Sequence, residues 1–420
     1  MSRRVKMFGA VFFLLNTILI RAAAEDVLTW KDCLQEAKEN NPDLVSAKEQ
    51  IRQSEADKAI TKSSTLPQIT GNLSGDRSGN AADTNSTYAY SVNAQQLLFD
   101  NFKTSSDIAS ASQTLVASQY NYLVVSSDMR LQLREAFAEL LNAQELVSLT
   151  EDIVKRRRQN VELIRLRYKA GREHRGALLT AEADLAQAEF ESAQAKRNVV
   201  SSQRQLSKAM GRTAFTPITV KEDFAIAEAG LNSVDFEHLA DNSSLLKKLI
   251  AQKESVRYAL KSTKADFYPK VYLDASVGES SSEWSFDDNE WSVGFSVSLP
   301  LFEGGKRKAE ISKAVSLLKQ AEEDERSSRD EVVFTLAKTW TELQDAIEEL
   351  SVQEKFLNAV EERAKISNAQ YSTGLISFDD WVIIEDNLVK AKKDLLTVKT
   401  NVLTKQAYWY QAEGRTLEYE

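Results

Sequence analysis

The feature that most constrains this chain is an internal duplication. Shifted by 203 residues, the sequence falls on itself: Leu98-Phe99-Asp100 on Leu301-Phe302-Glu303, Tyr168 and Gly171 on Tyr371 and Gly374, Leu185 on Leu388, and Gly211-Arg212-Thr213 on Gly414-Arg415-Thr416. Upstream, Leu66-Pro67 matches Tyr268-Pro269 at a shift of 202. A fold for this chain must therefore be built from two similar units. The spacing assigns the first unit to 25–217 and the second to 233–420, with a linker at 218–232. Five prolines, at 42, 67, 217, 269 and 300, leave 68–216 and 301–420 free of proline. Both stretches are rich in good helix formers.

Each unit carries the same order of signals. A helical segment ends at Leu66-Pro67 or Tyr268-Pro269, where proline forbids continuation. Period-two alternation follows, at 68–99 and again at 270–301. Tyr88, Tyr90 and Val92 alternate with Ala89, Ser91 and Asn93; Val271 and Leu273 alternate with Tyr272 and Asp274; Trp291, Val293, Phe295 and Val297 alternate with Ser292, Gly294, Ser296 and Ser298. Small polar residues fill one face, and aromatics gather near strand ends, as at the water boundaries of a membrane barrel. The apolar residues are thus candidates for a lipid-facing surface. Four strands do not close a barrel. Closed barrels begin at about eight strands, and eight leave room only for side chains. Two copies would give a plugged barrel. Three give twelve strands and a lumen, so the argument predicts a homotrimer.

Helical hairpins are predicted over 103–210 and 306–413. Leu133, Leu140, Val147, Val154, Val161 and Tyr168 recur every seven residues, as do Leu336, Leu343, Leu350, Leu357, Ala364 and Tyr371. Three positions on stand small or polar residues, among them Ala136, Ala143, Thr150 and Ala346, which describes a coiled-coil seam with a thin second stripe. The span 103–170 covers about 100 Å as a helix. Gly171 and Gly374 mark the reversals. Tyr168 and Tyr371 are read as packing residues of the two tips.

The N-terminus has Arg3, Arg4 and Lys6, an apolar run at 7–20 broken only by Asn16 and Thr17, and Ala22 to Ala24. This reads as a signal peptide over 1–24, since the run is shorter than the ~20 residues a spanning helix needs. Its removal leaves 49 basic and 62 acidic residues, a net charge of −13. So acidic a chain is a poor partner for nucleic acid. One cysteine, Cys33, and two histidines, His174 and His238, make a metal or haem site improbable. No cofactor is expected. No nucleophile, base or acid pair emerges from the spacing, so the chain is not read as an enzyme. Asp379, Asp380, Glu385 and Asp386 read as a solvated helix face. The run 155–158, Lys-Arg-Arg-Arg, reads as exposed helix.

Tandem halves, Leu-Pro before a strand pair, Leu-Phe-Asp and Leu-Phe-Glu-Gly-Gly after it, and Tyr-Xaa-Xaa-Gly at each tip resemble the TolC-like outer membrane efflux family. The resemblance covers essentially the whole mature chain. It implies a mixed α+β membrane protein: a trimeric twelve-stranded β-barrel in the cell outer membrane, with four strands from each chain, continued through the periplasm by a trimeric α-helical barrel. It implies a passive conduit for drugs, small toxicants or proteins. Its partners would be a periplasmic adaptor, met at Gly171, Arg172, Gly374 and Leu375, and an inner-membrane RND or ABC transporter. Counted from Tyr-Xaa-Xaa-Gly, the periplasmic constriction would involve Tyr371, Ile376, Asp380 and Ile383. One acidic ring position keeps an acid, Asp380, and the next is Ile383. The arginine of the family's gating link falls on Ile376, and its partners fall on Gly176 and Ala177. The departures imply a closed state held differently, and an apolar constriction at Ile376 and Ile383 is one arrangement open to it. The competing function class is a soluble periplasmic coiled-coil scaffold or adaptor, which would usually carry one hairpin rather than two.

Overall fold

The computed structural model describes residues 26–80, 83–221, 234–284 and 288–418. The expected signal peptide lies outside them. In chain order the elements are β1 (Asp26–Leu28), α1 (Trp30–Asn40), α2 (Pro42–Ser63), β2 (Gln68–Gly79), β3 (Thr84–Phe99), α3 (Lys103–Lys169), α4 (Arg175–Ala209) and β4 (Ile218–Val220). The second half continues with α5 (Phe236–Asn242), α6 (Ser244–Ala265), β5 (Lys270–Ser281), β6 (Glu290–Ser298), α7 (Lys306–Thr373) and α8 (Phe378–Ala412).

The long helices α3 and α7 have 67 and 68 residues, and each returning helix has 35. At 1.5 Å per residue the return arms cover only about half of the outward ones. A second helix fills the gap: α2 packs on α3, and α6 packs on both α3 and α7. The α4–α2 join is end to end. Asn41 donates its side-chain amide to the Ala209 carbonyl at 2.9 Å, while its Oδ1 accepts from the backbone N–H of Asp43 and Leu44 at 2.9 and 3.3 Å. One side chain thus satisfies unpaired groups at a helix C-terminus and a helix N-terminus together.

The heptad seam is buried where the helices pair. Leu133, Leu140, Val161, Leu336, Leu343, Leu350, Ala364 and Tyr371 are all buried, and Ala136, Ala143, Thr150 and Ala346 beside them are equally closed. Small residues here let backbones approach. The largest core lies at the α4–α2 level, where Cys33, Phe137, Leu140, Leu206, Met210, Ile218, Leu403 and Leu417 pack together.

The linker reading needs correction at its start. Residues 218–220 form β4, which pairs in parallel with β1 through Asp26↔Ile218 and Leu28↔Val220. Gln144 seals the pair, donating to the Val220 carbonyl at 2.8 Å and accepting from its N–H at 2.9 Å. Residues 222–232 of the expected linker lie outside the described residues.

The other sheet is antiparallel in the order β2-β3-β5-β6. Residues directly opposite share a face, so the register assigns every side chain. Ile69, Ala94, Ala275 and Val293 form one row across all four strands, and Gly71, Val92, Val277 and Trp291 form the next. Leu273 with Phe295 and Val271 with Val297 continue the same face. Tyr88 and Tyr90 belong to it as well, opposite Gly75 and Leu73. The reverse face carries Asn72, Ser91, Asn93, Gln95, Asp274, Ser276, Ser292 and Ser296. β2 and β6 each keep one unpaired edge, with Ile69 at 69 % exposure and Trp291 at 77 %.

Candidate functional site

Two regions carry the sequence-predicted site residues: the hairpin tips and the four-stranded sheet. At the tips the chain reverses through left-handed glycines, Gly171 at φ +69° and Gly374 at φ +83°. The carbonyl of Gln370 accepts from Leu375 N–H at 2.8 Å, and that of Arg167 accepts from Arg172 N–H at 2.8 Å, closing the last helical turns. The return helices start on side-chain caps. His174 Nδ1 accepts from Ala177 N–H at 3.1 Å. Ser377 Oγ accepts from Asp380 N–H at 3.1 Å and donates to the Asp380 carboxylate at 2.7 Å. Asp380 is exposed, and its N–H is capped by the Ser377 hydroxyl. Gly171, Arg172, Gly374 and Leu375 are all exposed at the extreme tips.

The equivalent tyrosines part company. Tyr168 is 40 % exposed within the chain, whereas Tyr371 is fully buried and packs as expected. Tyr371 stacks on Trp381 with ring centroids 4.5 Å apart and planes 9° from parallel. The Arg167 guanidinium sits 4.5 Å from the same ring centroid. Arg167 also donates to the Tyr371 carbonyl at 2.8 Å, and the Tyr371 hydroxyl donates to Glu173 at 2.8 Å. Burial, then the Glu173 carboxylate, pushes the phenol above its ordinary range, so it remains a neutral donor. Tyr371 therefore ties the second tip to the first, with no surface of its own to offer a lumen.

The two isoleucines expected at an apolar constriction differ in their surroundings. Ile376 is half-buried against the tip cluster of Val161, Ile164, Tyr371, Phe378 and Trp381, while Ile383 is exposed on α8. Ile383 shares its exposed face with Asp379, Asp380 and Asp386. Glu385 leaves that face. It is 1 % exposed and accepts two hydrogen bonds from Arg156, at 2.5 and 2.7 Å. Arg157 pairs with Asp386 and lies 3.9 Å from Asp184, and Arg158 pairs with Glu189 at 2.9 Å. Arg156, Arg157 and Arg158 of the basic run thus cross-link α3 to α4 and α8. Sequence reading missed Arg156, Arg167, Glu173 and Trp381. Their partners lie in the other copy or across a turn, and no local spacing announces them.

On the sheet, the polar face is cross-linked between strands. Asp274 accepts from Gln95 at 2.8 Å and from Ser296 at 2.5 Å, and Ser276 and Ser292 share a hydrogen bond at 2.8 Å. Among the described residues no group of acidic, cysteine and histidine side chains is placed to hold a metal. No described helix is long and apolar enough to cross a membrane.

A two-faced, open-edged sheet set on long coiled-coil arms defines the class: one wall segment of a barrel-and-tunnel channel. The profile of the outer membrane efflux protein family matches residues 33–212 and again 237–415, and the chain belongs to that family. It is an outer-membrane protein with its helices in the periplasm. The outer membrane efflux protein BepC of Brucella suis is 24 % identical over 415 residues, covering 95 % of this chain and 89 % of that one. The alkaline protease secretion protein AprF of Pseudomonas aeruginosa is 22 % identical over 393 residues, covering 88 % and 80 %. Among solved structures, the open state of the MtrE outer membrane channel of Neisseria gonorrhoeae superposes with a TM-score of 0.82 at 19 % identity, covering 92 % of this chain and 89 % of that one. These relatives are channel and export proteins rather than enzymes.

Proposed function

We propose that three copies of this chain join sheet edge to sheet edge into a twelve-stranded barrel, continue it as a helical tunnel, and passively conduct cargo outward. The observation that carries this reading is the continuous apolar face on a sheet whose outer strands both have free edges. An exposed edge bearing Trp291, Phe295 and Ile69 would invite aggregation in water. Closed within lipid, the same edges are paired and the same face is solvated. The lipid face would comprise Tyr88, Tyr90, Val92, Val271, Leu273, Trp291, Val293, Phe295 and Val297.

The periplasmic end would dock a periplasmic adaptor through Gly171, Arg172, Gly374 and Leu375, and the adaptor would serve an inner-membrane RND or ABC transporter. The duct's constriction would be set by the exposed α8 face with Asp380 and Ile383. Tyr371 and Ile376 would hold the hairpins behind that face. The names of relatives span efflux and protein secretion, so efflux of drugs or small toxicants and export of proteins both belong to the proposal. The mature protein purified in detergent should have the mass of three chains and should form conducting pores in planar bilayers. A monomer that stays soluble without detergent would sink the duct reading. Comparing drug sensitivity and secreted proteins in a deletion strain then separates the two cargo classes.

A further inference from the structure

We propose that Asp274 is a fixed charge of the barrel lumen that makes the membrane-spanning part of the duct favour cations, separately from any ring at the periplasmic tip. The inference rests on the duct reading above. Asp274 lies on the polar face, in register with Gln95 on one side and Gly294 on the other. Its two carboxylate oxygens accept from Gln95 Nε2 on β3 and from Ser296 Oγ on β6, so neighbouring strands on both sides fix its direction. Both donors are neutral. They hold the charge in place without cancelling it.

The register supplies no counter-charge nearby. Among the described residues of the four strands, the polar face carries Asp76, Asp274 and Glu290 as acids and Lys270 as its base. Lys270 sits four residues, about 13 Å, along β5 from Asp274, and its ammonium is 3.1 Å from Asp266. An un-neutralised carboxylate at this depth is tolerable only against water. Threefold symmetry would set three such groups at one height around the lumen. Low-dielectric walls focus the field of a fixed charge and raise the local concentration of counter-ions. The ligand class favoured is therefore metal cations and cationic or zwitterionic small molecules, with small anions repelled.

The test uses the purified full-length protein in planar bilayers of neutral lipid under a KCl gradient, at low and high salt. The wild type should give a cation-selective reversal potential. Asp274→Asn should move it toward zero, and Asp274→Lys should move it further in the anion direction. Both shifts should shrink at high salt as screening sets in. Ser296→Ala, which keeps the charge, should leave the potential near wild type. Conducting channels whose reversal potential is the same in wild type, Asp274→Asn and Asp274→Lys at low salt would overturn the inference and leave the duct standing. Absence of conductance in the wild type would remove both. A second measurement is independent of the gate. Cys33 is buried, so Asp274→Cys should react with a membrane-impermeant thiol reagent from outside, whereas Leu273→Cys should not. The reverse pattern would place Asp274 toward lipid and end the proposal.

Discussion

A methyl group on Gly211 would lie 2.3 Å from the carbonyl oxygen of Asn40 and 2.8 Å from the Cα of Asn41, and Gly211 sits at φ +79°. Its counterpart Gly414 has the same φ, but a methyl group there would meet nothing within 4 Å. The shared Gly-Arg-Thr therefore hides two different demands. At Gly414 a side chain meets only the left-handed backbone penalty, and Gly414→Ala should cost about 1 kcal/mol. At Gly211 overpacking against backbone adds to that penalty, and Gly211→Ala should cost about 3 kcal/mol. Thermal unfolding of the two variants in detergent, followed by circular dichroism, should rank them in that order; equal losses would mean that the α4–α2 join has room to yield. A related asymmetry stands at the start of the long helices. Gly304 and Gly305 adopt positive φ in the second copy, and Asn101 and Phe102 adopt it at the matching places in the first. The Gly-Gly pair is legible as a turn, while Asn-Phe is not, because its backbone conformation is imposed by the strand and helix it joins.

At the level of elements, the seam at every seventh residue of α3 and α7 was readable because heptads are local. The cross-links that set one hairpin against the other were not. Arg156 on α3 meets Glu385 on α8 in a two-bonded pair, with Glu385 buried and Arg156 35 % exposed. Removing one partner of a buried pair costs about 3–5 kcal/mol, and replacing both by apolar groups is often neutral. Arg156 keeps some water, so Glu385→Ala should cost less, about 2 kcal/mol. The double change Arg156→Met with Glu385→Leu should recover most of it. A double-mutant cycle on thermal stability measures the coupling. Additive losses would show that the pair contributes no more than two separate contacts. Arg157 pairs with Asp386 on α8 and Arg158 with Glu189 on α4. A run of bases that reads as solvated surface becomes a fastening once two helices flank it.

For the whole molecule, the two copies are interlocked rather than strung together. β4, from the segment after the first copy, returns to pair with β1 at its beginning. The end of the second copy inserts into the core of the first: Leu417 is buried, and its N–H donates to Ser126 Oγ at 3.0 Å. Glu418 accepts from the Tyr122 and Ser126 hydroxyls, each at 2.7 Å. Burial raises the Glu418 carboxyl, but these hydrogen bonds outweigh it and hold the group below its ordinary value. A carboxyl depressed by folding contributes its full stabilisation above the unfolded value, and loses it as pH falls through the folded one. The C-terminal segment should therefore stay docked at neutral pH and loosen as pH drops below ~4. Protease protection of the tail across an acid series measures this. Glu418→Gln should flatten the profile, and an unchanged profile would assign the acid response to other groups.

By itself the sequence determined that there are two copies, that each pairs strands with a long helical hairpin, where the arms turn, and which strand faces are apolar. Those properties follow from periodicity, proline and glycine, all of which act over a few residues. Only the tertiary structure decided that Tyr371 is buried while Tyr168 is exposed, that Glu385 leaves the acidic face for Arg156, and that Asp274 is held between Gln95 and Ser296. Each depends on the height and rotation at which segments far apart in the chain meet, or on a strand register, and neither is set by the spacing of residues along one element.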